Sequence, residues 1–281
     1  MKNIVYICLI GLFLFSACDK IESPYIYVSD EVQIGPFPPL NPSSVHRKIL
    51  IEEYTGHLCA NCPVGHAKLA ELSAIFGEKL AIVCIHAGEL AKPRPKGLFT
   101  YDFRTEEGTQ LYNGFGIDPI PVAVVNRTPF GGGWAIGPEQ WQNAILNIAN
   151  DVYAGIQIET KIKDSSLIVG AKATMLKNYG SPLQLSLFLI EDSVIRPQLN
   201  GTQNIEKYSH NHVFRAAVNG TYGAPIFSGD IVANSADSLG YKINFKNKDW
   251  RMEHIAVVAF LHNPATREVL QVEMAKIHQS K

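Results

Sequence analysis

The chain is poor in thiols: its 281 residues hold five cysteines, an odd number that cannot all pair with one another. Beyond the first fifteen positions it has no long apolar run, so no further segment is suited to cross a roughly 30 Å hydrocarbon core as a helix. It also lacks the evenly spaced strand-and-turn pattern of a full-length outer-membrane barrel. Neither sign of charge dominates, with 25 Lys and Arg against 26 Asp and Glu and a formal net charge of −1. No basic cluster exists, which argues against a nucleic-acid partner. Gly131, Gly132 and Gly133 are followed by no Lys-Ser or Lys-Thr, which removes a phosphate-binding loop. Only one CxxC is present, whereas structural zinc takes four ligands, often from two such pairs. No metal and no cofactor is expected.

What is present begins at the start of the chain. Met1-Lys2-Asn3 is a short basic opening, and residues 4–15 are almost wholly apolar. A stretch this short reads as the hydrophobic region of a secretory signal peptide over residues 1–17. It ends in Leu14-Phe15-Ser16-Ala17-Cys18, which resembles a bacterial lipobox with Cys18 as the lipid-attachment residue. Phe15 departs from the branched aliphatic residue preferred there, and ordinary cleavage near Ala17 is the competing reading. An acyl anchor holds a protein on a membrane surface without spanning it. Residues 18–45 carry Pro24, Pro36, Pro38, Pro39 and Pro42 and read as a semi-extended tether, in which Ile26-Tyr27-Val28 can pair as a short edge strand.

Residues 46–152 alternate between strand and helix patterns. A strand is expected over 48–54, a helix over 64–76 stopped by Gly77, a strand over 80–86 and a short helix over 105–112. A strand entered through Pro119 and Pro121 and a helix over 138–149 complete the set, so a mixed sheet covered by helices is expected. After about Tyr153 the apolar period changes to two. Leu183, Leu185, Leu187 and Leu189 alternate, as do Leu239, Tyr241, Ile243 and Phe245, and residues 153–281 read as an all-β sandwich.

Chemistry enters at Cys59-Ala60-Asn61-Cys62-Pro63, at a strand-to-helix junction. Helical neighbours at i and i+3 have Cβ atoms roughly 5–6 Å apart, close to what a disulfide needs, so the pair opens and closes with little adjustment. Cys59, at the helix N-terminus, is the expected attacking thiolate, favoured by unpaired N–H groups and the helix dipole. Cys62, one turn inside, is the resolving thiol. Glu53, six residues before Cys59, is placed to exchange a proton with Cys62 if it is buried. Glu52 competes for the inward face of the same strand. Cys84 lies in the apolar run 80–85 and reads as inert core. Cys59, Cys62 and His66, with His57 and His86 nearby, form the rival zinc reading. A purely structural disulfide is the other rival, although a bridge closing so small a loop restrains the unfolded chain little. His210 and His212 fall at i, i+2 and suit a loop or an interface.

The order strand, CxxCP, helix, strand, helix, X-Pro, strand, helix resembles the thioredoxin fold. That resemblance implies a cis Pro121 beside the CxxC, with Ile120 offering backbone groups to a partner peptide. It also implies that Glu53 is the buried acid. Leu58 stands where thioredoxins carry Trp, and the intervening dipeptide is Ala-Asn rather than Gly-Pro. Over nearly the whole chain, Glu52-Glu53-Tyr54-Thr55-Gly56 before the CxxCP, the β-rich second half and His210-Asn211-His212-Val213-Phe214-Arg215 are similar to Omp28-like outer membrane lipoproteins of Gram-negative bacteria. The expectation is a lipid-anchored outer membrane protein, facing the periplasm or the surface, that acts as a thiol-disulfide oxidoreductase on envelope protein thiols or disulfides. The alternative is a surface-binding or adhesin-like protein whose thioredoxin-like domain is a non-catalytic scaffold.

Overall fold

The computed structural model describes residues 28, 29, 32, 34–163, 166–245 and 248–277; the expected signal peptide, Cys8 and Cys18 lie outside them. A short strand β1 (Val28–Ser29) precedes β2 (Ile49–Thr55), α1 (Cys62–Phe76), β3 (Leu80–His86) and α2 (Glu106–Gly114). There follow β4 (Val122–Val125), β5 (Ala135–Ile136) and α3 (Trp141–Asn147). The rest is β: β6 (Ala154–Lys163), β7 (Ser166–Met175), β8 (Leu183–Glu191), β9 (Val194–Asn200), β10 (Gln203–His210), β11 (Val213–Ala217), β12 (Ala224–Phe227), β13 (Ala236–Asn244), β14 (Ile255–His262) and β15 (Val269–Lys276).

The helix boundaries follow local chemistry. Pro63 sits in the first turn of α1, where a missing N–H costs nothing, and Gly77 closes the helix at φ 56°, a left-handed value that favours glycine. Thr105 caps α2 by accepting from the Gly108 N–H at 2.9 Å.

The thioredoxin-like part and the sandwich share one sheet. Its order is β15-β14-β8-β11-β3-β2-β4-β5, with β12 paired to β8. The seam is the parallel contact of β11 with β3 at Val213 and Cys84, reinforced by the Cys84 N–H donating to the His212 carbonyl at 2.7 Å. Hydrogen bonding therefore runs unbroken across the boundary expected near residue 152. A second sheet, β1-β13-β7-β6, packs on β8 and β14. The alternating Leu183, Leu185, Leu187 and Leu189 fill this interface with Leu167, Val169, Ile255 and Val257. Each fully buried side chain of this size contributes roughly 1.5–3 kcal/mol. The opposite faces of β8 and β14 hold Phe188, Val258 and Phe260, packed with Phe214 of β11 toward Leu50, Tyr54 and Leu111.

Of the proline-rich segment, the described residues lie along the sandwich. Val28 pairs with Ile243 at the edge of β13, and Gln157 donates to the Pro38 carbonyl at 2.7 Å. Ile34 rests against Gly170 and Gly240.

Strand β2 is central, between parallel β3 and antiparallel β4, and it is covered on both faces. Glu52 and Glu53 are thus both fully buried, on opposite sides. Glu52 receives two hydrogen bonds from Arg127, at 2.8 and 2.7 Å, and that guanidinium lies over the Phe260 ring. Glu53 faces α1.

Candidate functional site

Strand β2 delivers the chain into a tight turn ahead of α1. A Cβ on Gly56 would lie 2.5 Å from the Leu90 carbonyl oxygen, so only glycine lets that backbone pass. The Leu58 N–H donates to the same oxygen at 2.9 Å, and the Cys59 N–H returns to the Gly56 carbonyl at 3.0 Å. Cys59 and Cys62 are joined in a disulfide with Cα atoms 5.4 Å apart. Cys62 is the first residue of α1, so the bridge sits at the positive end of the helix dipole.

Ile120 and Pro121 stand beside the bridge. The Ile120 carbonyl oxygen is 3.9 Å from the Cys59 Sγ, and the Ile120–Pro121 peptide bond is cis, as is Asp118–Pro119. Gly65 admits this close packing. A Cβ there would meet the Pro121 Cβ at 3.2 Å, the Glu53 Oε1 at 3.3 Å and the Trp141 ring at 3.3 Å. The structure therefore brings Glu53, Cys59, Cys62, Ile120 and Pro121 to one place.

Burial pushes the Glu53 carboxyl up to about 8. The Cys84 thiol and Thr55 hydroxyl temper that rise, though neither makes a hydrogen bond of good geometry to its oxygens. Cys84 is a buried free thiol, itself raised by burial and by the nearby Glu53. His66, on α1, has Nε2 2.9 Å from the Thr55 hydroxyl and 3.6 Å from Glu53 Oε1, and Nδ1 2.8 Å from the Tyr208 hydroxyl. Burial lowers His66 to about 4, so the ring is neutral near pH 7.

The hairpin β9–β10, expected from no sequence signal, lies against the CxxC turn. The Leu199 N–H donates to the His57 carbonyl and the Gly201 N–H to the Ala60 carbonyl, each at 2.9 Å. The Gln198 amide nitrogen reaches the carbonyls of Cys59 at 3.0 Å and Gly56 at 3.3 Å. Cys59, the expected attacking thiolate, is 3% exposed, and Cys62 is fully buried. Gln198 and Tyr208 are the site residues that sequence reasoning missed. Their only signal was proximity to the His210 segment, and they reach the CxxC solely through the tertiary fold.

Beside Cys84, an aromatic cluster holds further histidines. His86 stacks on Phe103 at 4.3 Å, and His210 packs edge-on to His86 at 5.5 Å. His57 stacks on Phe99 at 5.6 Å. Among the described residues the ring nitrogens of His57 and His86 find no hydrogen-bond partner. His212 falls between β10 and β11 at φ 55°, where it faces Asp192 at 3.3 Å rather than the cluster. Among the described residues no group of three or more His, Cys, Asp or Glu is placed to hold a metal ion. No helix among them is long and apolar enough to cross a membrane.

No curated protein matches the chain. Among solved structures, HBP35 of Porphyromonas gingivalis is similar with a TM-score of 0.63 at 18% identity, covering 83% of this chain and 76% of its own. That likeness is one of fold. A protein from Agrobacterium tumefaciens aligns with a TM-score of 0.47 at 11% identity, over 85% of this chain and 98% of its own. A domain of the outer membrane lipoprotein Omp28 from Porphyromonas gingivalis aligns with a TM-score of 0.32 at 23% identity, over 46% and 92%. The family model described as outer membrane protein Omp28 matches residues 108–281, more than half of the chain. The matched stretch contains Ile120, Pro121, Gln198 and Tyr208 but begins after the thiol pair. The chain belongs to the Omp28 family of outer membrane proteins.

Proposed function

We propose that this protein is a cell-envelope lipoprotein, anchored at the outer membrane through Cys18, that exchanges disulfides with envelope proteins through Cys59 and Cys62. The supporting observation is the bridged pair at the start of α1, with the Ile120 carbonyl against Cys59 and a buried, proton-holding Glu53 on the strand below. In the reduced protein the Cys59 thiolate attacks one sulfur of a client disulfide, and the other client sulfur leaves as a thiolate and takes a proton. In molecules whose Glu53 is ionised, that carboxylate takes the Cys62 proton, and Cys62 attacks the Cys59 sulfur. The bridge re-forms, the second client thiolate departs, and two electrons have moved to the client. The reverse sequence oxidises a client dithiol. Ile120 and Pro121 form the surface that receives the client backbone.

A second reading is favoured by the 3% exposure of Cys59 beneath the hairpin. In it the bridge is a closed staple and the molecule is a surface-binding protein on a thioredoxin-like scaffold. Equilibration in glutathione buffers of graded potential, followed by acid quenching and thiol counting by mass, separates the two. Reversible opening of the folded protein within the range of exchange proteins supports the first reading. A bond that opens only on unfolding supports the second.

A further inference from the structure

We propose that His66 and Tyr208 form a proton relay joining the buried Glu53 carboxyl to the cavity between α1 and β10; this rests on the exchange reading of Cys59 and Cys62. The cavity encloses about 400 Å³ and is lined by His66, Ala70, Cys84, His86, Tyr208 and His210. Such a volume holds several waters among polar walls. Glu53 has no exposure of its own, so a proton entering or leaving it needs a path. A chain of contacts runs from the cavity to within 3.6 Å of Glu53. The His66 Nε2 lies 2.9 Å from the Thr55 hydroxyl and 3.6 Å from Glu53, and its Nδ1 lies 2.8 Å from the Tyr208 hydroxyl. A neutral imidazole has one N–H and one lone pair, so it passes a proton by taking one at one nitrogen while releasing one at the other. His66 stays neutral because burial holds it near 4.

The groups facing this chain are few. Cys84 lies beside Glu53, and the neighbouring His57, His86 and His210 are all held neutral by burial. Asp192 bears on Cys84 and Arg215 on His86.

When dithiothreitol reduces the bridge, its thiolate attacks the Cys59 sulfur and the Cys62 sulfur leaves with the electron pair. Cys62 takes the Glu53 proton. His66 then gives the proton at Nε2 to Glu53, whose Oε1 lies 3.6 Å away in the bridged protein, and takes one at Nδ1 from Tyr208, which takes one from the cavity solvent. The second dithiothreitol thiol closes its ring and releases Cys59.

The test is the rate of this reduction from pH 6 to pH 10, corrected for reagent thiolate, in wild type, Tyr208→Phe and His66→Gln. At pH 6 Glu53 carries its own proton, and the rates should coincide. Above pH 9 the proton must be imported, and both variants should fall behind by roughly tenfold. Added imidazole should restore His66→Ala at high pH. Curves that run parallel, or a deficit equal at every pH, would overturn the relay and leave the exchange reading intact. A wild-type bond that stays closed in the folded protein would overturn both.

Discussion

Gln198 holds Cys59 from the far half of the chain: its amide donates to the Cys59 carbonyl at 3.0 Å, and the same nitrogen lies 3.3 Å from the Gly56 carbonyl. The second half of the molecule thus reaches back over the thiol pair. The proposed exchange would have to proceed under, or after displacement of, the β9–β10 hairpin.

Removing that hold should loosen the cover. Loss of a buried hydrogen bond with its partner left unsatisfied costs about 1–3 kcal/mol. Gln198→Ala should therefore speed alkylation of Cys59 in the reduced protein by at least roughly fivefold. An unchanged rate would show that the hairpin is no barrier.

Glu53 should make the protein less stable as pH rises. Its folded value near 8 lies above the ordinary 4.5, so the folded state keeps a proton that the unfolded chain has lost. The corresponding stability is fully present below about pH 4.5 and is lost as pH rises through 8. At about 1.4 kcal/mol per unit, the span is at most roughly 4–5 kcal/mol. Glu53→Gln should flatten urea-measured stability between pH 6 and pH 9 and exceed wild type at pH 9.

The histidines act in the other direction. Burial lowers His57 and His66 to about 4 and His210 and His262 to about 3. Their contribution is complete above the unfolded value of 6.5 and is lost as pH falls through the folded values. Taken with Glu53 alone, these groups give a contribution that rises up to about pH 6.5 and declines above it. His210→Phe should reduce the slope of stability below pH 6 by about one proton, or roughly 1.4 kcal/mol per pH unit.

The Glu52–Arg127 pair ties β2 to the loop after β4 beneath the Phe260 ring. Arg127→Ala leaves a buried carboxylate alone and should cost about 3–5 kcal/mol by urea unfolding. Replacing both residues with apolar side chains of matching volume should recover most of that loss.

The elements that define the fold were legible where burial imposes a period. The leucines of β8 alternate because one face meets the second sheet, and β3 falls at residues 80–86, as its apolar run indicates. Hairpin β9–β10 was not legible, because Pro197 interrupts one strand and the other, Gln-Asn-Ile-Glu-Lys-Tyr-Ser-His, is mostly polar and half exposed. The shared sheet was hidden for a different reason. Its seam between Val213 and Cys84 joins residues far apart in the chain, and no local pattern encodes such a pairing. At the site, the spacing of Cys59, Cys62 and Glu53 could be read directly. The competition between Glu52 and Glu53 could not be resolved from alternation, since both faces of β2 are covered. The partners Gln198 and Tyr208 arrive only with the tertiary structure.

The central claim is that Cys59 exchanges disulfides with envelope proteins. Its most direct test is a Cys62→Ser variant expressed in the native host, with mixed disulfides recovered by non-reducing affinity purification. The account predicts client proteins bound covalently through Cys59, released by dithiothreitol and absent when Cys59→Ser is added. An empty trap, with Cys59 inert to alkylation in the folded protein, would contradict it.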